Sequence, residues 1–337
     1  MLTLASTPLV APLTPADRSA HCSARVRTVA ILGDSISAGF TSQNASYPMQ
    51  LRALLDKRHP GRWEALNFGV NCACATRGGD YDIRRTGAWE RILASNATDV
   101  VVMLGTNDAS WRNWGLGAAA SDGAAAAGAA DGTAAATTRA ADGALLPPGA
   151  SMLLAGAPPL VPRPQLPSIT DLLAREDGAE WEADDRAACA AVTHNMTARW
   201  AEWAGDGGRS RLPTAAGEAA LERDVRDLVG RLRAMESAPT VYVALPPPVY
   251  LEWSIWTTLK PLVNGALPRA LGNAAKGGGA RLVRRTFDAF AERCDTAAAT
   301  CDWIDDGCHP NADGHRALAE AIADALDGAC PRGRNSE

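Results

Sequence analysis

A serine in the stretch ILGDSISAGF, an asparagine in VVMLGTNDAS and an aspartate–histidine pair in WIDDGCHPNADGH have the types and spacing for chemistry on an acyl group. A serine hydroxyl is a weak nucleophile at neutral pH and needs a base in hydrogen-bond reach. His309 is that base by type, because imidazole titrates near working pH. The imidazole needs a partner to fix its tautomer and to stabilise the imidazolium, and Asp306 stands one loop turn away. Asn107 offers a side-chain amide to the oxyanion of a tetrahedral intermediate. Each residue also has a plainer reading. Ser35 suits a helix N-cap, Asn107 a turn that satisfies its own backbone, and Asp34 a brace for the turn before Ser35. Asp305 rivals Asp306 but stands four residues from His309. A zinc site from Asp306, Cys308 and His309 would lack a fourth ligand and compete with the serine chemistry. Of the other histidines, His21 and His59 lie in polar segments, His194 adjoins a sequon, and His315 suits packing or capping in the last helix.

These residues follow short apolar runs. Val29–Leu32, Ala65–Val70, Val100–Leu104, Val241–Leu245 and Arg281–Val283 read as strands buried on both faces, without alternation. Helical patterns lie between them. In YPMQLRALLDKRHPG, three of Met49, Leu51, Leu54 and Leu55 can share a face. EAALERDVRDLVGRLRAM carries Leu221, Val225, Leu228, Val229, Leu232 and Met235 at helical spacing. DGHRALAEAIADALDGA stacks Leu318, Ile322 and Leu326 and stops at a glycine. Strand and helix in alternation predict right-handed crossovers and a parallel sheet, whose sites lie beyond the carboxyl ends of the strands. From about Gly115 to Pro167 the chain is Ala/Gly-rich and then Pro-rich, a composition that buries little surface. Residues 168–204 look helical and carry Trp181, Trp200 and Trp203.

The chain order Ser, Asn, Asp-x-x-His differs from the G-x-S-x-G elbow of α/β-hydrolases. Gly33-Asp34-Ser35, Asn67-Phe68-Gly69-Val70, Gly105-Thr106-Asn107-Asp108 and Asp306-Gly307-Cys308-His309-Pro310-Asn311 together resemble the SGNH (GDSL) hydrolase superfamily. VYVALPPPVY and DGCHPNADGH look like its carbohydrate-esterase-like branch. The resemblance implies an α/β fold, a flavodoxin-like three-layer αβα sandwich on a five-stranded parallel sheet, interrupted here by a long insertion. It implies Ser35 as nucleophile, His309 as base, Asp306 as orienter, and no metal or cofactor. The oxyanion hole it implies combines the Asn107 amide with two backbone N–H groups, those of Ser35 and of the residue at position 72. The family has a glycine there and this chain has Cys72. A side chain at that position is expected to be strained or to crowd the acyl pocket, and a disulfide to Cys74 or to a distal cysteine is expected to hold the loop.

Composition bounds the rest. The 337 residues are 47% apolar, with a net charge of −5, so a sizeable core is expected and a nucleic-acid surface is not. No apolar stretch approaches the ~20 residues of a membrane span. The expected partner is a small-molecule or glycan ester. Eight cysteines and sequons at Asn44, Asn96 and Asn195 lean toward a secreted, disulfide-bonded glycoprotein. The N-terminal stretch is nevertheless a poor signal peptide. Cys294, Cys301, Cys308 and Cys330 read as structural bridges, with three pairings open. The expected organisation is an N-terminal segment 1–25, read as part of a targeting region, then a hydrolase domain 26–330 interrupted at about 115–215, then a tail 331–337. Trp111 and Trp114 in WRNWG, and Trp253 and Trp256, suit either a sugar-stacking rim or ordinary packing. The expected function is a serine esterase removing short acyl groups from a carbohydrate. An acyltransferase using the same triad, or a non-catalytic carbohydrate-binding protein with a hole impaired at Cys72, are the alternatives. A wall or surface protein built on the Ala/Gly insertion is a third.

Overall fold

The five apolar runs form one sheet in the computed structural model, which describes residues 26–40, 42, 45–110, 113–114, 215–251 and 258–328. The strands are β1 (Arg27–Gly33), β2 (Trp63–Gly69), β3 (Asp99–Met103), β4 (Thr240–Ala244) and β5 (Arg281–Val283). Their order is β2-β1-β3-β4-β5, and every pairing is parallel. This is the flavodoxin-like order, in which a crevice opens where the winding reverses, between the carboxyl ends of β1 and β3. The segments after those two strands carry Ser35 and Asn107.

Two helical layers cover the sheet. The helices are α1 (Ser35–Ala38), α2 (Tyr47–Arg58), α3 (Gly87–Ala94), α4 (Ala215–Arg233), α5 (Leu267–Gly278), α6 (Arg285–Arg293) and α7 (Ala312–Asp327). One face of the sheet, with Ala30, Leu32, Val100, Val102, Val241 and Val243, packs on α3, α4 and α5. The other, with Val29, Ile31, Val101, Met103, Tyr242 and Ala244, packs on α2, α6 and α7. The three-layer sandwich is therefore as expected. In α4, Leu221, Val225, Leu228, Val229 and Leu232 are all buried, each contributing roughly 1.5–3 kcal/mol of apolar burial. In α2, Leu51 and Leu55 are buried and Leu54 packs beside them, whereas Met49 is 53% exposed.

β3 is buried along its whole length, but β2 is not. It is an edge strand with Glu64, Leu66 and Asn67 exposed, and β5 at the other edge buries only Val283. Burial on both faces thus holds for the central strands and is corrected for the two edges, which have one neighbour and incomplete helical cover.

β3 and β4 are hydrogen-bonded neighbours, so the long connection joins adjacent strands of one sheet. The Ala/Gly/Pro-rich stretch and residues 168–204 with their tryptophans lie outside the described residues. So do residues 1–25 and 329–337, His21, His194, Trp111, Trp253, Trp256 and Cys330. Among the described residues no helix is long and apolar enough to cross a membrane. Cys294 and Cys301 are bonded, with Cα atoms 5.5 Å apart. Cys308 corrects the expectation of a bridge. It is a free, buried thiol packed into the apolar cluster on the α3–α5 side of the sheet.

Candidate active site

β1 ends at Gly33, and the chain turns at once into α1. Asp34 caps that helix, its Oδ1 accepting from the Ile36 N–H at 3.0 Å. The cap position is therefore taken, and Ser35 is free for another partner. Its Oγ lies 2.9 Å from His309 Nε2. The edge strand is held against the same turn. Asn67 Nδ2 donates to Ser37 O at 2.9 Å and its Oδ1 accepts from the Gly69 N–H at 2.9 Å. A Cβ on Gly69 would come within 2.3 Å of the Ala38 backbone nitrogen. Gly69 thus serves close approach of β2 to α1. Burial pushes the Asp34 carboxyl up to about 7, against the Ile36 N–H bond and the His309 charge, which favour its ionised form.

His309 reaches Ser35 from a tight loop before α7. Asp306 Oδ1 accepts from the N–H groups of Cys308 (2.9 Å) and His309 (2.7 Å), closing the turn on itself. Gly307 sits in the left-handed region at φ 83°, which a glycine adopts without steric cost. Tyr250 braces the turn from outside, its N–H donating to Gly307 O at 2.9 Å. Asn311 caps α7, accepting from Asp313 and Gly314. The second carboxylate oxygen, Asp306 Oδ2, lies 2.7 Å from His309 Nδ1. Burial pushes the Asp306 carboxyl up, but the facing His309 charge and the three hydrogen bonds outweigh it and hold it at about 2. An ionised carboxylate only accepts, so Nδ1 carries the proton and Nε2 presents its lone pair to the Ser35 hydroxyl. The Phe40 ring packs 4.7 Å from the imidazole, and both Ser35 and His309 are buried. Asp305 is exposed and bonds His309 only through its backbone, donating to His309 O at 3.0 Å.

The loop after β2 and the turn after β3 meet beside this pair. Asn107 Nδ2 donates to Ala73 O at 2.9 Å. The Val70 N–H donates to Gly33 O at 3.0 Å, tying the loop to the end of β1. Cys72 holds φ 64°, the left-handed conformation that explains why a glycine is expected there and that strains any other residue. Cys72 is disulfide-bonded. Cys74 is a free, buried thiol, so the Cys72–Cys74 bridge considered from sequence does not form.

Comparison with known proteins decides the family. A profile of the GDSL-like lipase/acylhydrolase family matches residues 31–217, more than half of the chain. The chain belongs to that family. It is 37% identical over 93 residues to an acetylxylan esterase of Xylanibacter ruminicola, a match covering 27% of this chain and 18% of that protein. The chain thus matches less than a fifth of that relative's length. Among solved structures it is similar to an acetyl xylan esterase (13% identity, TM-score 0.46, 89% of this chain and 99% of that one). It is also similar to a carbohydrate acetylesterase from Sinorhizobium meliloti (14% identity, TM-score 0.42, 90% and 99%).

The fold places the other sequence candidates apart from this cluster. His315 is buried against Tyr47, accepting at Nδ1 from the Tyr47 N–H at 3.1 Å, and burial pushes its pKa down to about 3. Trp114 is buried beneath Gly217 of α4, which settles it as packing. The zinc combination of Asp306, Cys308 and His309 does not converge. Among the described residues, three donor atoms come together only at Cys294, Cys301 and Asp302, where the two sulfurs are joined to each other. Sequence reasoning missed Phe40, which carries no polar signal, and the contacts of the buried Asp108 with Ala75 and Thr76, for which its position next to Asn107 was the available clue.

Proposed function

We propose that this esterase hydrolyses short-chain acyl esters, acetyl first among them, on a carbohydrate, with Ser35 as nucleophile, His309 as general base and Asp306 as its orienting partner. The observation that carries the reading is the unbroken line from Asp306 Oδ2 to His309 Nδ1 (2.7 Å) and from His309 Nε2 to Ser35 Oγ (2.9 Å). In acylation, Ser35 Oγ bonds the ester carbonyl carbon, its proton passes to His309 Nε2, and the carbonyl electron pair moves onto oxygen. The backbone N–H groups of Ser35 and Cys72 and the Asn107 amide are read as the donors to that oxyanion. Collapse re-forms the carbonyl and expels the sugar oxygen, which takes the proton from Nε2. A water deprotonated by the same nitrogen then cleaves the acyl-enzyme and releases the acid.

The acetylxylan esterase relative, 37% identical over 93 residues, supports acetyl as the group removed. The Cys294–Cys301 disulfide and the bonded Cys72 support an oxidising, secretory compartment as the place of work, and the exposure of the Asn96 sequon supports glycosylation. The test compares acetate release from acetylated xylan and acetylated monosaccharides with hydrolysis of 4-nitrophenyl esters of increasing chain length. Acetate release, with rates falling as the acyl chain lengthens, is expected. Preference for long acyl chains, with no acetate from any acetylated sugar, contradicts the substrate class. Appearance of a new sugar ester when a free sugar is supplied makes the enzyme an acyltransferase.

A further inference from the structure

Beside the Ser35–His309 pair lies a wholly buried carboxylate that the steps above do not use. Asp108 is 0% exposed. Its Oδ2 accepts from the Ala75 N–H at 2.9 Å, and its Oδ1 accepts from both the N–H and the hydroxyl of Thr76 at 2.6 Å. All three donors belong to the loop that carries Cys72, whereas Asp108 belongs to the turn that carries Asn107. The same two segments are joined twice more. Asn107 Nδ2 donates to Ala73 O at 2.9 Å. The Asn113 amide bridges them, donating to Asn107 O and accepting from the Asp80 N–H, each at 2.9 Å.

We propose that Asp108 is a positioning residue of the oxyanion hole, holding the Cys72 loop against the Asn107 turn so that their two donors point at one oxygen; this rests on the oxyanion-hole reading given above. A buried carboxylate is costly unless its lone pairs are satisfied, and an apolar side chain would fill the space more cheaply. Burial pushes the Asp108 carboxyl up, and the Thr76 and Ala75 bonds with the Arg84 charge oppose it. What the carboxylate supplies is geometry. It fixes consecutive N–H groups just beyond Cys72, whose φ of 64° persists in a residue with a side chain only when its surroundings over-determine it. Arg84 grips the same peptide from outside, donating to Ala75 O at 2.7 Å and to Asp224 O of α4 at 2.6 Å. The loop is thus held between Asp108 within and α4 without.

The experiment measures kcat and KM on 4-nitrophenyl acetate for the full chain and for Asp108→Asn, Thr76→Val, Asn107→Ala and Ser35→Ala. Asn107→Ala, which removes a donor, sets the scale at about 10²–10³ in kcat. Asp108→Asn keeps the size but turns an NH₂ group toward a backbone N–H, and is expected to lose about 10² in kcat. Thr76→Val removes one of the three bonds and is expected to lose about tenfold. In both, KM stays within about threefold, as expected when the loss is confined to the transition state. The acid limb of the pH–rate profile also stays in place, because Asp306 and His309 are untouched. The Asp108→Asn/Asn107→Ala double variant is expected to lose less than the product of the singles, since both act on one hole. Wild-type kcat in folded Asp108→Asn and Thr76→Val, or a raised KM at unchanged kcat, overturns the role of Asp108 while an inactive Ser35→Ala leaves the underlying reading standing. Activity surviving in Ser35→Ala overturns both. If Asp108→Asn does not fold by circular dichroism, Thr76→Val, which keeps both backbone bonds, decides alone.

Discussion

Ser35→Ala and His309→Ala are each expected to lower kcat on an acetyl ester by about 10⁵–10⁶-fold, and the double variant to be no worse than either single. The reason is the single hydrogen bond of 2.9 Å between Ser35 Oγ and His309 Nε2. Without the imidazole the hydroxyl keeps its proton, and without the hydroxyl the imidazole has nothing to activate but water. The two side chains act as one unit, so their losses do not multiply. Steady-state kinetics on the purified variants, with circular dichroism as the control for folding, checks this. Neither substitution is expected to disturb the sheet, because β1 ends at Gly33, its pairing with β3 ends at Gly33 and Met103, and neither Ser35 nor His309 lies in a strand.

Asp306→Asn is expected to cost about 10⁴ in kcat, through the tautomer of His309. The asparagine oxygen can still accept from the N–H groups of Cys308 and His309, so the turn survives. Its NH₂ then faces Nδ1, where Asp306 Oδ2 now lies at 2.7 Å. Nδ1 becomes the acceptor, Nε2 carries the proton, and the base can no longer take the proton from Ser35. The pH behaviour separates the two groups. With its carboxyl held at about 2, Asp306 stays ionised throughout the working range, and the acid limb of the wild-type profile reports protonation of the imidazole. Removing the neighbouring negative charge disfavours imidazolium, so the residual activity of Asp306→Asn is expected to show its acid limb at lower pH. The stability linkage has the opposite reach. A carboxyl lowered from 3.8 to about 2 contributes stability that is complete above 3.8 and lost as pH falls through about 2. The gap in unfolding free energy between wild type and Asp306→Asn should therefore close in that acid window. Asp305→Asn, at an exposed position, is the control and is expected to leave kcat near wild type.

The parts of this site that the sequence reveals are those that follow from local rules. Ser35 could be placed because a short apolar run ends in Gly33 and a helix begins at once. The Asp306–His309 pair could be placed because the three-residue spacing closes a turn on its own backbone. The parallel sheet followed from strand–helix alternation and the handedness of crossovers, and its flavodoxin-like order from the family resemblance. What stayed hidden depends on residues far apart in the chain. The Asp34 cap is local, but the partner that Ser35 finds, His309, arrives from the other end of the sequence. The grip of Asp108 on Ala75 and Thr76, and of Arg84 on Asp224 of α4, joins segments with no common periodicity. Cys308 reads as a bridge by its company of cysteines, yet its place in the fold is a packed apolar cluster on one face of the sheet. The edge position of β2 was likewise invisible, since Ala65 and Leu66 look as apolar as any central strand until the neighbour is found missing.

The central claim is that Ser35 is activated by His309, and a fluorophosphonate probe tests it without any choice of substrate. Ser35 Oγ attacks phosphorus, fluoride leaves, and the bond formed survives peptide mass mapping. The account predicts a single adduct on the Ser35 peptide of the folded protein, absent in His309→Ala. An adduct on a different serine, or none on folded wild-type protein, would contradict it.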